Sequence, residues 1–111
     1  MEHLTLETFQ EKIMNLDSED LQGDMPVILD FYADWCGPCK ALAPTLEELS
    51  EEYKGKVKIY KIDTEVEMEI ATKFKIRNLP SVIFIPRTGE RQIATGLHPK
   101  TKYKEVIESI I

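Results

Sequence analysis

Two cysteines, Cys36 and Cys39, are the only ones in the chain, and they lie in the stretch DFYADWCGPCK, residues 30–40. A pair with this spacing can contribute to a metal site, close a structural disulfide, or work as a redox centre that exchanges disulfides. A pair of buried free cysteines without any of these roles is a further interpretation. The residues around the pair indicate which of these kinds of site the sequence favours.

A zinc site and a structural disulfide are both disfavoured by the rest of the sequence. Structural zinc is held by four ligands, commonly two Cys pairs or one Cys pair with two His. The only histidines, His3 and His98, lie near opposite ends of the chain and have no ligand spacing. A disulfide across so short a loop removes little entropy from the unfolded chain. Redox exchange is therefore the favoured interpretation, and a free buried pair is the alternative.

The placement of the pair also favours redox chemistry. The preceding segment, VILDFYA, is a near-continuous apolar run of strand length, and a helical pattern begins at Pro38. Cys36 would follow the strand and lie at the N-terminus of the helix, where free N–H groups and the helix dipole stabilise an anion. The thiolate is the reactive form of cysteine. We therefore predict that Cys36 is an exposed nucleophile and that Cys39, one turn later and pointing further inward, is the resolving cysteine.

The elements that must position the pair alternate between helical and strand patterns. Apolar spacing predicts helices after Thr5, from Pro38 to Gly55, across Val66, Ile70 and Phe74, and after Pro99. Strands are predicted at VILDFYA, KVKIYKID, SVIFI and QIAT, with a short one near Leu4.

This order of elements predicts an α/β fold. Strands that alternate with helices pair in parallel through right-handed crossovers, and the late strand pair makes the sheet mixed. Helices must then cover both faces of the sheet. We predict one domain over residues 1–111, with a central mixed sheet of four to five strands flanked by about four helices. A chain of this length can bury such a core without additional disulfides or metals.

Composition excludes several classes of function. A formal charge of −6 disfavours nucleic-acid binding, which calls for clustered Lys and Arg. No apolar run approaches the roughly 18 residues of a membrane span. The N-terminus has neither a basic start nor a long apolar stretch, so no signal peptide is visible. We expect a cytoplasmic protein without membrane insertion; a chain from which a signal peptide had been removed would be periplasmic instead.

Several motifs together resemble the thioredoxin family, and the likeness covers nearly the whole chain. WCGPCK is similar to the family's active-site sequence, and DFYADWCGPCKALAP to its second strand and active-site helix. KIDTE resembles the third strand, KIRNLPSVIFI the cis-proline loop, and TGLHPK the glycine turn before the last helix. The resemblance implies a thioredoxin fold and a thiol–disulfide oxidoreductase that reduces protein disulfides. It also implies a monomer that needs no bound cofactor and is recharged by a thioredoxin reductase or a membrane dithiol donor.

The resemblance assigns Asp30 and Lys61 to proton transfer. Asp30 matches the family's buried acid beneath the cysteines, and it stands between Leu29 and Phe31 in a strand that we expect to be covered on both faces. Burial raises the pKa of a carboxyl group, which could then exchange a proton with Cys39 through water. A strand-end carboxylate that points at water is the alternative. Lys61 matches the lysine that modulates this acid; the alternative is an ordinary lysine at a strand edge.

The resemblance also implies a binding groove around the Cys36–Cys39 disulfide. Pro80 matches the cis proline that faces the disulfide, so the backbone near Leu79 could pair with an extended client segment. The remaining groove residues are Trp35, Gly37, Pro38, Gly96 and Leu97.

The sequence departs from the family pattern at three places, and two other functions remain open. Tyr32 stands where a second tryptophan is common, and residues 15–25 form a longer and more acidic loop than usual. Pro86 stands where the family often has lysine or a polar residue. One rival function is an extracytoplasmic oxidase or isomerase, although Gly37 and Pro38 look like the reducing type. The other is a redox-silent binding subunit, which the retention of both cysteines with Asp30 disfavours.

Overall fold

One mixed sheet of five strands runs through the computed structural model, which describes residues Met1–Ile111. The elements in chain order are β1 Glu2–His3, α1 Leu6–Lys12, β2 Val27–Tyr32, α2 Gly37–Glu52, β3 Lys58–Asp63, α3 Met68–Lys73, β4 Ser81–Ile85, β5 Gln92–Thr95 and α4 Lys100–Ile110. The strands lie in the order β1-β3-β2-β4-β5. β3 pairs in parallel with β1 and β2, whereas β4 pairs antiparallel with β2 and β5. The predicted α/β fold is thereby confirmed.

Helices cover both faces of the sheet, which explains the continuous apolar runs of its central strands. Successive side chains of a strand point to opposite faces. Ile28 of β2 belongs to a core cluster that includes Leu42 of α2 and Tyr103 of α4. Its neighbour Leu29 belongs to a second cluster that includes Phe9 of α1 and Ile70 of α3. Every residue of β4 is buried, and so are the first five of β2.

The prediction for the start of the third helix was wrong. Val66 was expected on its buried face, but α3 begins at Met68, and Val66 is 69% exposed. The backbone N–H groups of Val66 and Glu67 both donate to the Asp63 carbonyl, so Val66 lies in the turn that follows β3. The backbone N–H of Leu6 donates to the Glu67 carboxylate at 2.9 Å, and Glu67 is the N-cap of α3. Helical spacing alone cannot show that the helix starts only after this residue.

The acidic loop 15–25 is held against the body of the protein by two cations. The Lys73 ammonium donates to the carbonyl oxygens of Leu16 and Ser18 at 2.8 and 2.6 Å. Arg91 donates to the carbonyl of Glu19 at 2.8 Å. The loop is thus fixed to the end of α3 and to the start of β5. None of the helices has both the length and the hydropathy that crossing a membrane would require.

Candidate active site

Cys36 is the N-cap residue of α2, between β2 and the helix, as its position in the sequence predicts. The backbone N–H of Cys39 donates to Sγ of Cys36 at 3.2 Å. Pro38 lies in the first turn, where its missing N–H costs no helical hydrogen bond. The first turn carries no acidic side chain. The sulfur of Cys36 therefore faces the positive end of a long helix with no acid in that turn to oppose it, an arrangement that stabilises a thiolate.

The two cysteines are joined as a disulfide, with Sγ–Sγ 2.27 Å, a Cα–Cα distance of 5.3 Å and a χ3 angle of 78°. Cys36 was expected to be exposed, but in this oxidised form Cys36 and Cys39 are only 4% and 6% exposed. They form a small buried cluster with Ala33, against which Tyr32, at the end of β2, and Leu79, from far along the chain, pack. Exposure therefore does not distinguish the two cysteines, whereas the N-cap position does.

Asp30 is buried, 2% exposed, in the middle of the sheet. Alternation along β2 places its side chain on the same face as Ile28, the face covered by α2, whose own buried side begins with Cys39. Its Oδ1 has no hydrogen-bond partner within the protein. Burial raises the pKa of Asp30 to about 6, and the positive charge of Lys61 opposes this rise. An unpartnered carboxyl group with such a pKa can take up or release a proton near neutral pH.

Lys61 lies beside Asp30 and is not a free lysine at a strand edge. The two residues are register partners in the parallel pair of β2 and β3. The Lys61 ammonium lies 4.5 Å from the ring centroid of Tyr32, which is cation–π distance. The Tyr32 hydroxyl in turn is 2.9 Å from Nδ1 of His3. The Lys61 ammonium thus contacts Tyr32, the departure noted in the sequence, while its charge acts on the buried acid.

We expect Lys61→Gln to raise the pKa of Asp30 further, because the charge that opposes the effect of burial is removed. The measurement is an NMR titration of the Asp30 side-chain carboxyl carbon. Lys58→Gln is the matched control, since Lys58 is an exposed lysine on the same strand. A pKa of Asp30 that is unchanged or lowered in Lys61→Gln would show that the ammonium does not act on the carboxyl group.

The predicted groove residues lie on loops and element ends near the start of α2, and Leu79 packs against the cysteine pair. Trp35 is 70% exposed, and Leu97 is exposed as well. The Leu79–Pro80 peptide bond is cis. The N–H of Gly96 donates to the Pro80 carbonyl at 2.8 Å, and Gly96 has a φ of 85°, a conformation that favours glycine. Gly37 and Pro38, both exposed, open α2 beside Cys36. The structure therefore brings the residues predicted for binding to one end of the sheet.

Sequence analysis did not find two further features of this surface. The Trp35 indole N–H donates to the Glu65 carboxylate at 2.6 Å, which fixes the exposed ring. An open cavity of about 510 Å³ lies beside Trp35 and Leu79, and Met68 and Ile76 also line it. Nothing local in the sequence links Glu65 to a tryptophan that precedes it by 30 residues.

Known proteins share both the sequence and the fold. The family model for thioredoxin matches residues 1–109. A thioredoxin of Borreliella burgdorferi is 36% identical over 108 residues, which cover 95% of this chain and 92% of that protein. An M-type chloroplastic thioredoxin of Spinacia oleracea is 40% identical over 91 residues, 82% of this chain but only 50% of its own length. A crystal structure of chloroplastic thioredoxin z superposes with a TM-score of 0.82 at 31% identity, covering 99% of this chain and 93% of that one.

Proposed function

The chain belongs to the thioredoxin family and carries out dithiol–disulfide exchange through Cys36 and Cys39, and on this premise we propose that it reduces the disulfides of client proteins. The observation that carries the proposal is the position of Cys36. Its sulfur caps α2 and accepts the N–H of Cys39, so the same helix end stabilises the attacking thiolate and holds the second thiol within bonding distance. Residues 1–109, which the family model matches, support one domain over the whole chain.

In the proposed reaction, the Cys36 thiolate attacks one sulfur of a client disulfide. A bond forms between Cys36 and the client, and the other client sulfur leaves as a thiolate that takes up a proton. Cys39 then loses its proton and attacks Sγ of Cys36, which expels the second client sulfur. Two electrons pass to the client, and the Cys36–Cys39 disulfide remains on the protein.

Asp30 and Lys61 serve the second of these steps. The buried carboxylate accepts the proton of Cys39, through water, as Cys39 attacks. A carboxyl pKa of about 6 leaves the group mostly ionised at neutral pH, and therefore able to accept the proton. Lys61 keeps the pKa of Asp30 from rising further, so that this ionised form remains populated.

Client binding uses the surface around the disulfide. The backbone beside Leu79, which precedes the cis Pro80, pairs with an extended segment of the client, a form of β-augmentation. We assign Pro80 to the position that faces the sulfurs. The side chains and backbone of the surrounding groove complete the contact: Trp35, Gly37, Pro38, Gly96 and Leu97. The exposed indole and the glycine turn support this assignment.

We further propose that the protein acts as a monomer in a reducing compartment such as the cytoplasm. The disulfide left after each turnover has to be reduced again, which requires a thioredoxin reductase or a membrane dithiol donor. No cofactor needs to be bound for thiol–disulfide exchange itself, because the two thiols supply both electrons.

The proposal is tested by the reduction of insulin with dithiothreitol as the electron source. We expect catalytic amounts of the protein to accelerate the precipitation of the released insulin chains. A binding module that uses the fold without redox chemistry would give no acceleration over dithiothreitol alone. Protein whose two cysteines have been alkylated beforehand serves as the matched control.

A further inference from the structure

One hydroxyl group holds both ends of the turn formed by Gly96, Leu97 and His98. The Tyr103 hydroxyl donates to the Gly96 carbonyl and accepts the backbone N–H of His98, both at 3.3 Å. The side chain of His98 adds a separate contact, because its Nε2 donates to the Thr95 carbonyl at 2.8 Å. The two polar backbone groups bound by Tyr103 thus flank Leu97, whose side chain is exposed.

The Tyr103 side chain is itself fixed. It is fully buried in the core cluster between the sheet, α2 and α4, and its ring stacks on Phe84 with a centroid distance of 6.4 Å. Burial raises the pKa of Tyr103; the His98 N–H lowers it, and the charge of Asp30 raises it. The hydroxyl therefore keeps its proton at neutral pH and remains able to donate to Gly96.

The anchored turn leads directly to the cis proline. The Gly96 carbonyl accepts a hydrogen bond from the Tyr103 hydroxyl, and the Gly96 N–H donates to the Pro80 carbonyl at 2.8 Å. Two hydrogen bonds in series therefore connect a buried core side chain to Pro80, the residue after the cis peptide bond. Gly96 has a positive φ, and glycine has more backbone freedom to lose than any other residue, so hydrogen bonds at its N–H and its carbonyl restrict the turn.

We propose that Tyr103 is a positioning residue for client binding, whose hydroxyl holds the Gly96–His98 turn in the conformation that receives a protein segment beside the disulfide. This inference rests on the proposed function. It concerns the recognition of a polypeptide and not the sulfur chemistry. A client too small to reach the turn would not depend on the hydroxyl, which separates the positioning role from a general effect on the active site.

The test compares Tyr103→Phe with Tyr53→Phe. The second variant also removes a hydroxyl from a residue of the same core cluster, but Tyr53 is the C-cap of α2 and lies at the end of that helix opposite to Cys36. The reduced proteins are oxidised in single turnovers by insulin or by the small disulfide 5,5′-dithiobis(2-nitrobenzoate), and Trp35 fluorescence follows the reaction. For Tyr103→Phe we expect the second-order rate constant with insulin to fall about three- to tenfold, the scale of one or two lost hydrogen bonds. The rate constant with the small disulfide should stay unchanged, and Tyr53→Phe should match the wild type with both.

Amide hydrogen exchange supplies a readout that does not depend on activity. In Tyr103→Phe we expect faster exchange of the Gly96 and His98 amides, while the amides of β4 exchange as in the wild type. An equal loss of rate with both disulfides, or an unchanged rate with insulin, would overturn the positioning role. If the wild type itself left insulin oxidised, the proposed function would be contradicted. If the wild type reduced insulin but Tyr103→Phe reduced it equally fast, only the role of Tyr103 would be contradicted.

Discussion

Cys36→Ser leaves a protein that no longer exchanges disulfides, whereas Cys39→Ser leaves one that becomes trapped on its client. The first variant has lost the sulfur that caps α2 and attacks, so its rate should fall by at least about a thousandfold, the scale on which enzymes depend on their nucleophile. The second variant still forms the bond to the client. It cannot expel the client, because no neighbouring thiol attacks Cys36.

Mass spectrometry after exposure to a protein disulfide distinguishes these outcomes. We expect a covalent adduct of protein plus client only for Cys39→Ser, and we expect dithiothreitol to release it. The double variant with serine at both positions is the control, and it should form no adduct. If Cys36→Ser formed the adduct and Cys39→Ser did not, the roles assigned to the two sulfurs would have to be exchanged.

Asp30→Asn should make the fold more stable and the second chemical step slower. Ionisation of the buried carboxyl group is unfavourable in the folded state, as its pKa of about 6 against an ordinary 3.8 indicates. An amide of similar shape carries no charge, so we expect the variant to gain up to about 3 kcal/mol in free energy of unfolding at pH 8. Attack by Cys39 loses its proton acceptor and should slow on the order of a hundredfold.

The pH dependence of this gain is specific. Because the folded pKa is raised, the folded protein binds more protons than the unfolded chain between pH 3.8 and about 6. The free energy of unfolding of the wild type therefore falls as pH rises through this window. The stability difference in favour of Asp30→Asn should grow over the same window and level off above it. Chemical denaturation at a series of pH values measures the difference, and Asp34→Asn, at an exposed acid, is the control. A variant no more stable than wild type at pH 8 would show that the charge of Asp30 is stabilised by other means.

Much of the fold could be predicted because local pattern and tertiary structure agree. VILDFYA reads as a strand buried on both faces, and β2 covers most of that run. SVIFI and QIAT match β4 and β5 at both ends. Val66 was misplaced because it lies in the turn after β3, where its N–H and that of Glu67 both donate to the Asp63 carbonyl.

Features of the site that depend on neighbouring residues in the sequence could be predicted. Features that depend on contacts between distant parts of the chain could not. The N-cap position of Cys36 and the burial of Asp30 follow from the order of strand and helix. Cys36 is buried in a small cluster against which both Tyr32 and the distant Leu79 pack, so the expected exposure of this cysteine was wrong. Tyr103 has the spacing of an ordinary core residue of the last helix, and nothing in the sequence shows that its hydroxyl reaches Gly96.

The reduction potential of the Cys36–Cys39 pair shows whether the pair acts as a reductant or as an oxidant. Gly37 and Pro38 place no positive charge between the cysteines, and Trp35 and Asp30 add none. The reduced form is therefore not stabilised in the way that makes a strong oxidant. Equilibration of the protein with mixtures of reduced and oxidised glutathione, read by Trp35 fluorescence, gives the potential. We expect a value near the one known for thioredoxin, about −270 mV, whereas a value near the about −120 mV of a strong oxidant would contradict the assignment as a reductase.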